Sequence, residues 1–147
     1  MNNDSALFYT CSLIEFIGRE QKMKRSELVR FMGGKTIRRI YRYADVFHCE
    51  PIAKTANDFI ENLHIPKGEF DNVASCRYAV PDYWTIGAVY ERLIEDICGD
   101  DAEPIIDRLM DVYTTWISDA ISNYNTDFYY QSREYISVCY KEGKICD

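Results

Sequence analysis

The side chains best able to do chemistry crowd into residues 26–51, SELVRFMGGKTIRRIYRYADVFHCEP. Asp45 and His48 stand three apart, so on a continuing helix they share a face and could both reach a divalent ion, with Cys49 or Glu50 as a third ligand. A protein metal site takes three or four ligands, and the only other histidine is His64. Asp45 and His48 are therefore weak metal candidates, and a histidine at a helix end more often caps carbonyls. GGKT at 33–36 invites comparison with the phosphate-binding loop GxxxxGK[ST], but position 29 is Val and no strand precedes it, so a glycine turn is the better reading. Nucleophilic catalysis needs Ser or Cys beside a base, and two histidines with no elbow motif leave nothing to build it from. The neighbouring carboxylates Glu95 and Asp96, or Asp100 and Asp101, would diverge on a helix and read as cap and surface charge. No catalytic residue and no cofactor is expected. Asp82, Tyr83 and Trp84 are candidates for lining a pocket.

The strongest pattern is cationic. Lys35, Arg38, Arg39 and Arg42 fall on one side of a helix predicted over residues 35–47, while Ile37, Ile40, Tyr41, Ala44 and Phe47 make the other side apolar. Lys24, Arg25 and Arg30 stand close by. Such a face can meet phosphates, and a helix-turn-helix protein would lay it in the major groove. Base-reading faces carry Asn, Gln, Ser or Thr among their cations, which this one lacks. Net charge is −7 overall, yet residues 1–44 hold nine Lys or Arg against four Asp or Glu, and residues 45–147 hold eight against twenty. A basic end on an acidic body favours an acidic protein partner, then nucleic acid, or a homo-oligomer pairing one end with the other body; the plainest alternative is solvated helix faces.

The elements that must position these residues follow from periodicity. Asp4 or Ser5 is expected to cap a first helix to about Arg19, whose wide apolar face, Leu7, Phe8, Cys11 and Ile14, makes it central. Ser26 caps a short helix, Gly33 and Gly34 turn, and the basic helix follows. Pro51 opens a helix through Ile52, Ala56, Phe59, Ile60 and Leu63. Residues 66–81, with two prolines and a glycine, read as a connector with one helical turn around residues 71–76. Asp82 caps a helix to about Cys98, stopped by Gly99. Asp100 or Asp101 caps the longest helix, through Ile105, Leu109, Val112, Trp116, Ile117 and Ile121. The last helix, residues 127–142, is rich in tyrosine, with Gly143 beyond it. CRYAV and DFYYQ are the only stretches with any strand character.

The fold class is therefore all-α: one compact bundle of about six helices, with residues 1–65 as an N-terminal helical half, 66–81 as connector and 82–147 as a C-terminal half, of four and three helices. Hydrophobic residues make up 47% of the 147, enough for a real core and too many for a disordered chain. No run approaches a membrane span and the N-terminus lacks a signal-peptide pattern, so a cytoplasmic protein with no membrane partner is expected. Six scattered cysteines without a CxxC pair read as reduced, mostly core thiols.

Residues ALFYTCSLIEFIGREQKMKRSELV, a glycine turn and IYRYADVFHCEPIAKTANDFI resemble, over the N-terminal half, a bacterial domain-of-unknown-function family of small helical proteins found in toxin-antitoxin-like cassettes; Phe8, Cys11, Glu15, Ser26, Tyr43, Asp45 and His48 carry the likeness. The resemblance implies a small regulatory or neutralising partner and transfers no catalytic residue. The expected function is a non-enzymatic cytoplasmic protein-binding module, antitoxin-like or a regulatory partner of a neighbouring gene product. A helix-turn-helix-like DNA-binding regulator is the alternative, and an enzyme with a pocket invisible to sequence is the third.

Overall fold

The structure, a computed structural model, describes residues 2–147. Helix α1 (Asn3–Gln21) is its axis. Leu7, Tyr9, Cys11, Ser12, Leu13, Ile14, Glu15 and Ile17 are all buried, and these positions run around most of the helix rather than down one stripe. A helix buried on nearly every side must be enclosed by others, and α1 lies against the helices on both sides of the connector. Its cap is Asn2, whose Oδ1 accepts from the Ser5 amide at 2.8 Å. The expected caps, Asp4 and Ser5, lie one or more residues inside the helix, where Asp4 favours the positive N-terminal end instead.

Helix α2 (Arg25–Arg42) departs from the expected helix, turn and helix. Ser26 sits inside its first turn, Lys24 stands at the cap without a side-chain bond, and the expected two-glycine turn is one non-helical residue, Gly33 (φ 81°, ψ 156°). The basic helix ends at Arg42. A separate single turn, α3 (Ala44–Phe47), follows. Helix α4 (Ile52–Leu63) starts directly after Pro51 and ends at His64, which takes a left-handed conformation (φ 53°). Residues 66–81 are irregular but anchored: the Gly68 amide donates to the Gln21 carbonyl at 2.7 Å and the Phe70 amide to that of Lys22 at 2.8 Å.

Helix α5 (Tyr83–Cys98) is capped as expected by Asp82, whose carboxylate accepts from the Thr85 amide at 2.8 Å, and Gly99 ends it. It packs along α1 so closely that a Cβ on Gly87 would sit 2.9 Å from the Ser12 backbone. The helix expected from Asp100 to Ile121 is two, α6 (Ile105–Tyr113) and α7 (Trp116–Ser122). Thr114 and Thr115 separate them, their hydroxyls donating to the Met110 carbonyl at 2.7 Å and the Val112 carbonyl at 3.0 Å. Such bonds compete with the helical ladder, which ends here. The C-terminal helix likewise divides, into a 3-10 turn (Phe128–Tyr130) and α8 (Arg133–Glu142), capped by Ser132 and closed by Gly143 at φ 77°.

The described residues thus form an all-helical bundle of eight α-helices and one 3-10 turn rather than about six, with no strand; CRYAV is irregular and DFYYQ holds the 3-10 turn. The two halves share one core, because α1 packs on α5 and α2 packs on α6 and α7. No described helix is long and apolar enough to cross a membrane. All six cysteines are free thiols.

Candidate functional site

The second half of α2 lays Ile37 and Ile40, both fully buried, against the core, which forces Lys35, Arg38, Arg39 and Arg42 outward at i, i+3, i+4 and i+7. All four are exposed. Among the described residues none of them forms an ion pair. Arg39 shares a shallow recess with Glu50 and Asp58, but Lys54 holds those carboxylates at 3.4 and 3.0 Å. Just beyond the row, where α2 breaks into α3, Tyr43 and Val46 are exposed, the latter by 62%. The result is a cationic ridge with an apolar shoulder.

The three pocket candidates border two recesses, with Trp84 lining both. Asp82 and Trp84 line a cleft of about 450 Å³ between α5 and residues 129–136, where the Asp82 carboxylate is already occupied as the α5 cap. Tyr83 turns the other way, its ring 5.1 Å from Phe16 and 4.9 Å from Trp84, along a groove that also holds Phe8 and His48. Asp45 and His48 are both exposed near α3, and Cys49 donates to the Asp45 carbonyl at 3.3 Å. Among the described residues no three His, Cys, Asp or Glu side chains gather into a metal-holding group.

The most concentrated polar chemistry lies in the core. Glu15 is fully buried on α1, and Arg25, 1% exposed, reaches it with two bonds, Nε to Oε1 at 3.0 Å and Nη2 to Oε2 at 2.9 Å. Arg19 Nε adds a bond to Oε2 at 2.9 Å, and the Tyr124 hydroxyl donates to the same oxygen. Arg25 also donates to the Met23 carbonyl at 2.7 Å and to Asn72 Oδ1 at 3.1 Å; Asn72 in turn donates to the Ser122 carbonyl at 2.9 Å. Arg19 Nη2 reaches the Pro81 carbonyl at 2.7 Å. The network centred on this carboxylate therefore ties together α1, α2, the connector at Asn72 and Pro81, and the segment after α7.

Burial alone would raise the Glu15 carboxyl, but the charges and hydrogen bonds of Arg25 and Arg19 outweigh it and hold the group down at about 2. The same pair pushes Arg25 upward. Burial raises Tyr124, with the Glu15 charge adding to it. A group so enclosed, with its lone pairs taken by protein donors, acts as a structural fastener rather than an acid or base. Cys11 is equally inert: burial lifts its thiol, and it lies beside Tyr113, whose ring stacks on that of Tyr90 at 4.0 Å.

Sequence reasoning read Glu15 only as part of a resemblance and Arg25 only as one more surface cation. The legible signal was a lone acid in CSLIEFI, a run with no polar face to carry it. Comparisons of the chain with known protein families, with curated proteins and with solved structures found no match.

Proposed function

We propose that the protein is a non-catalytic cytoplasmic binding module, antitoxin-like or a regulatory partner of a neighbouring gene product, that docks an acidic protein through Lys35, Arg38, Arg39 and Arg42. The observation that carries this reading is that four cations stand in register on the outer side of α2 and, among the described residues, no carboxylate pairs with them, although twenty-four Asp and Glu are present. Unspent guanidiniums beside an exposed tyrosine match the composition of protein interfaces, where Arg and Tyr contribute most per residue. Charge complementarity would supply orientation and a fast encounter.

The competing reading, a DNA-binding regulator, is less well supported. A helix-turn-helix joins its two helices by a turn of about three to four residues, whereas α2 is broken only at Gly33. The ridge also lacks the amide and hydroxyl side chains that read bases.

Co-expression with the neighbouring gene products tests the proposal. Wild-type protein should copurify with one of them, and the triple variant Arg38→Glu, Arg39→Glu, Arg42→Glu should lose it while keeping its helical circular dichroism. Retention of the partner by that variant refutes this surface. Steep, salt-sensitive binding of wild-type protein to generic duplex DNA would transfer the ridge to the regulator reading.

A further inference from the structure

The cleft between α5 and the start of α8 is built differently from the ridge. Its floor is apolar and buried, formed by Val89, Leu93 and Ile136. Trp84, backed by Phe8 at 5.4 Å and Tyr83 at 4.9 Å, stands on the α5 bank, and Tyr129 with Tyr130 on the other, their two rings edge to face at 6.3 Å. Tyr130 is 82% exposed, an unusual amount for a ring that serves the core alone. Polar groups converge on the same rim. Among the lining side chains two guanidiniums, Arg92 and Arg133, are set against one carboxylate, Asp82, which caps Thr85.

The two arginines are not equivalent. Arg133 is held in place: Nε and Nη2 bond the Asp96 carboxylate at 3.2 and 2.7 Å, and Nη2 also reaches the Arg92 carbonyl at 3.4 Å. Its charge is answered there. Arg92 is exposed and forms no ion pair among the described residues. One uncommitted cation thus stands over an apolar floor between aromatic banks. The first turns of α5 and α8 both border the cleft, the former answered by the Asp82 carboxylate and the latter carrying Glu134. A volume of about 450 Å³ falls within the range of small-ligand sites.

We infer that this cleft binds a flat aromatic molecule bearing one anionic group, its ring between Trp84 and Tyr130 and its anion on Arg92. Ring stacking and a charge-assisted hydrogen bond are the two interactions the lining offers together, and neither a bare anion nor a neutral ring engages both. Carboxylates and phosphate monoesters share this chemistry, so the test carries one of each.

The protein holds two tryptophans, Trp84 in the cleft and Trp116 packed near Phe128, so two indole N–H signals report on separate places. Titration of ¹⁵N-labelled protein with 1-naphthoate and with AMP, against neutral 1-naphthamide and adenosine, is the experiment; Trp84→Phe assigns the signals. At least one anion should move the Trp84 signal at about millimolar concentration or below and leave Trp116 still, binding about tenfold tighter than its neutral counterpart. Which anion binds identifies the source. Arg92→Gln should abolish that tenfold preference, and Arg92→Lys should keep part of it. The proposal is overturned if no probe moves Trp84, if the neutral analogue binds equally well to wild-type protein, or if Arg92→Gln leaves the preference intact.

Discussion

Replacing Arg25 with Met is expected to expose how much of the fold hangs on one buried ion pair. The guanidinium makes four bonds inside the protein, two to Glu15 and one each to Met23 and Asn72. Met occupies much of the same space and makes none. Removing one partner of a buried pair leaves the other desolvated and unanswered, which costs about 3–5 kcal/mol. For a chain of this length that lowers the melting temperature by roughly 10 °C or more. The pH dependence gives an independent measure. The Glu15 carboxyl lies at about 2 in the folded protein against its ordinary value of 4.5. A folded value below the unfolded one contributes stability above pH 4.5 that is lost as the pH falls toward 2, about 3 kcal/mol in all. In Arg25→Met the chief counter-charge is gone and the Glu15 carboxyl rises, so this contribution shrinks or reverses. Urea unfolding followed by circular dichroism between pH 7 and pH 2.5 should show a large gap between wild type and variant that narrows with acid. Glu15→Gln supplies a second reading: its gap to wild type should close as Glu15 itself becomes protonated. A loss below about 1 kcal/mol at pH 7, or a gap that ignores pH in both variants, would refute the fastener.

Three further outcomes follow from close approaches, caps and burial. A Cβ on Gly18 would lie 2.6 Å from Arg25 Nε and 2.9 Å from its Cζ, so Gly18→Ala should destabilise by about 1–3 kcal/mol in urea unfolding even though alanine is the better helix former. Asp82→Ala removes the Thr85 cap and should cost about 1 kcal/mol in the same assay, with the helical spectrum retained. A thiol reagent at neutral pH should modify exposed Cys49 at once and reach Cys11 and Cys139 only on unfolding, since both are fully buried and burial raises the Cys11 thiol; rapid reaction of all six would contradict the core described above.

Helical class, the order of the long helices and the enclosure of α1 were legible because each depends on local rules: a period of 3.6, a cap, a glycine stop. Helix number was not, and the reason is visible at particular residues. The apolar period runs unbroken from Ile105 to Ile121, so nothing in it marks the Thr114 and Thr115 hydroxyls that take their own helix's carbonyls. Ser132 caps α8 five residues later than the first acid that could have done so, because the aromatic pair Phe128 and Tyr129 is taken up in a 3-10 turn. Periodicity reports which face is buried, and it is blind to where a side-chain oxygen outcompetes the ladder.

The same limit applies to charge, and it separates the ridge from the fastener. Arg25 and Arg38 look alike in sequence, one more cation in a basic segment, yet Arg25 is 1% exposed and Arg38 is exposed. What distinguishes them is a partner ten residues upstream, Glu15, and the absence of a Cβ on Gly18 that lets the arginine side chain cross α1 to reach it. Local pattern carries neither fact, since both depend on how α1 and α2 meet. Once Arg25 is withdrawn into the core and Arg19 joins it, the cations left on the surface of the N-terminal half divide by helix. Lys35, Arg38, Arg39 and Arg42 remain as one continuous row, because Ile37 and Ile40 commit the opposite side of α2 to the core. Arg25 seats the first half of α2 on α1, whereas Ile37 and Ile40 seat the second half, beyond the break at Gly33. Disrupting the Glu15 pair should therefore lower stability in urea unfolding, while a Glu15→Gln protein that stays folded should still copurify with the partner proposed above, which separates the fastener from the Arg38, Arg39 and Arg42 charge reversal.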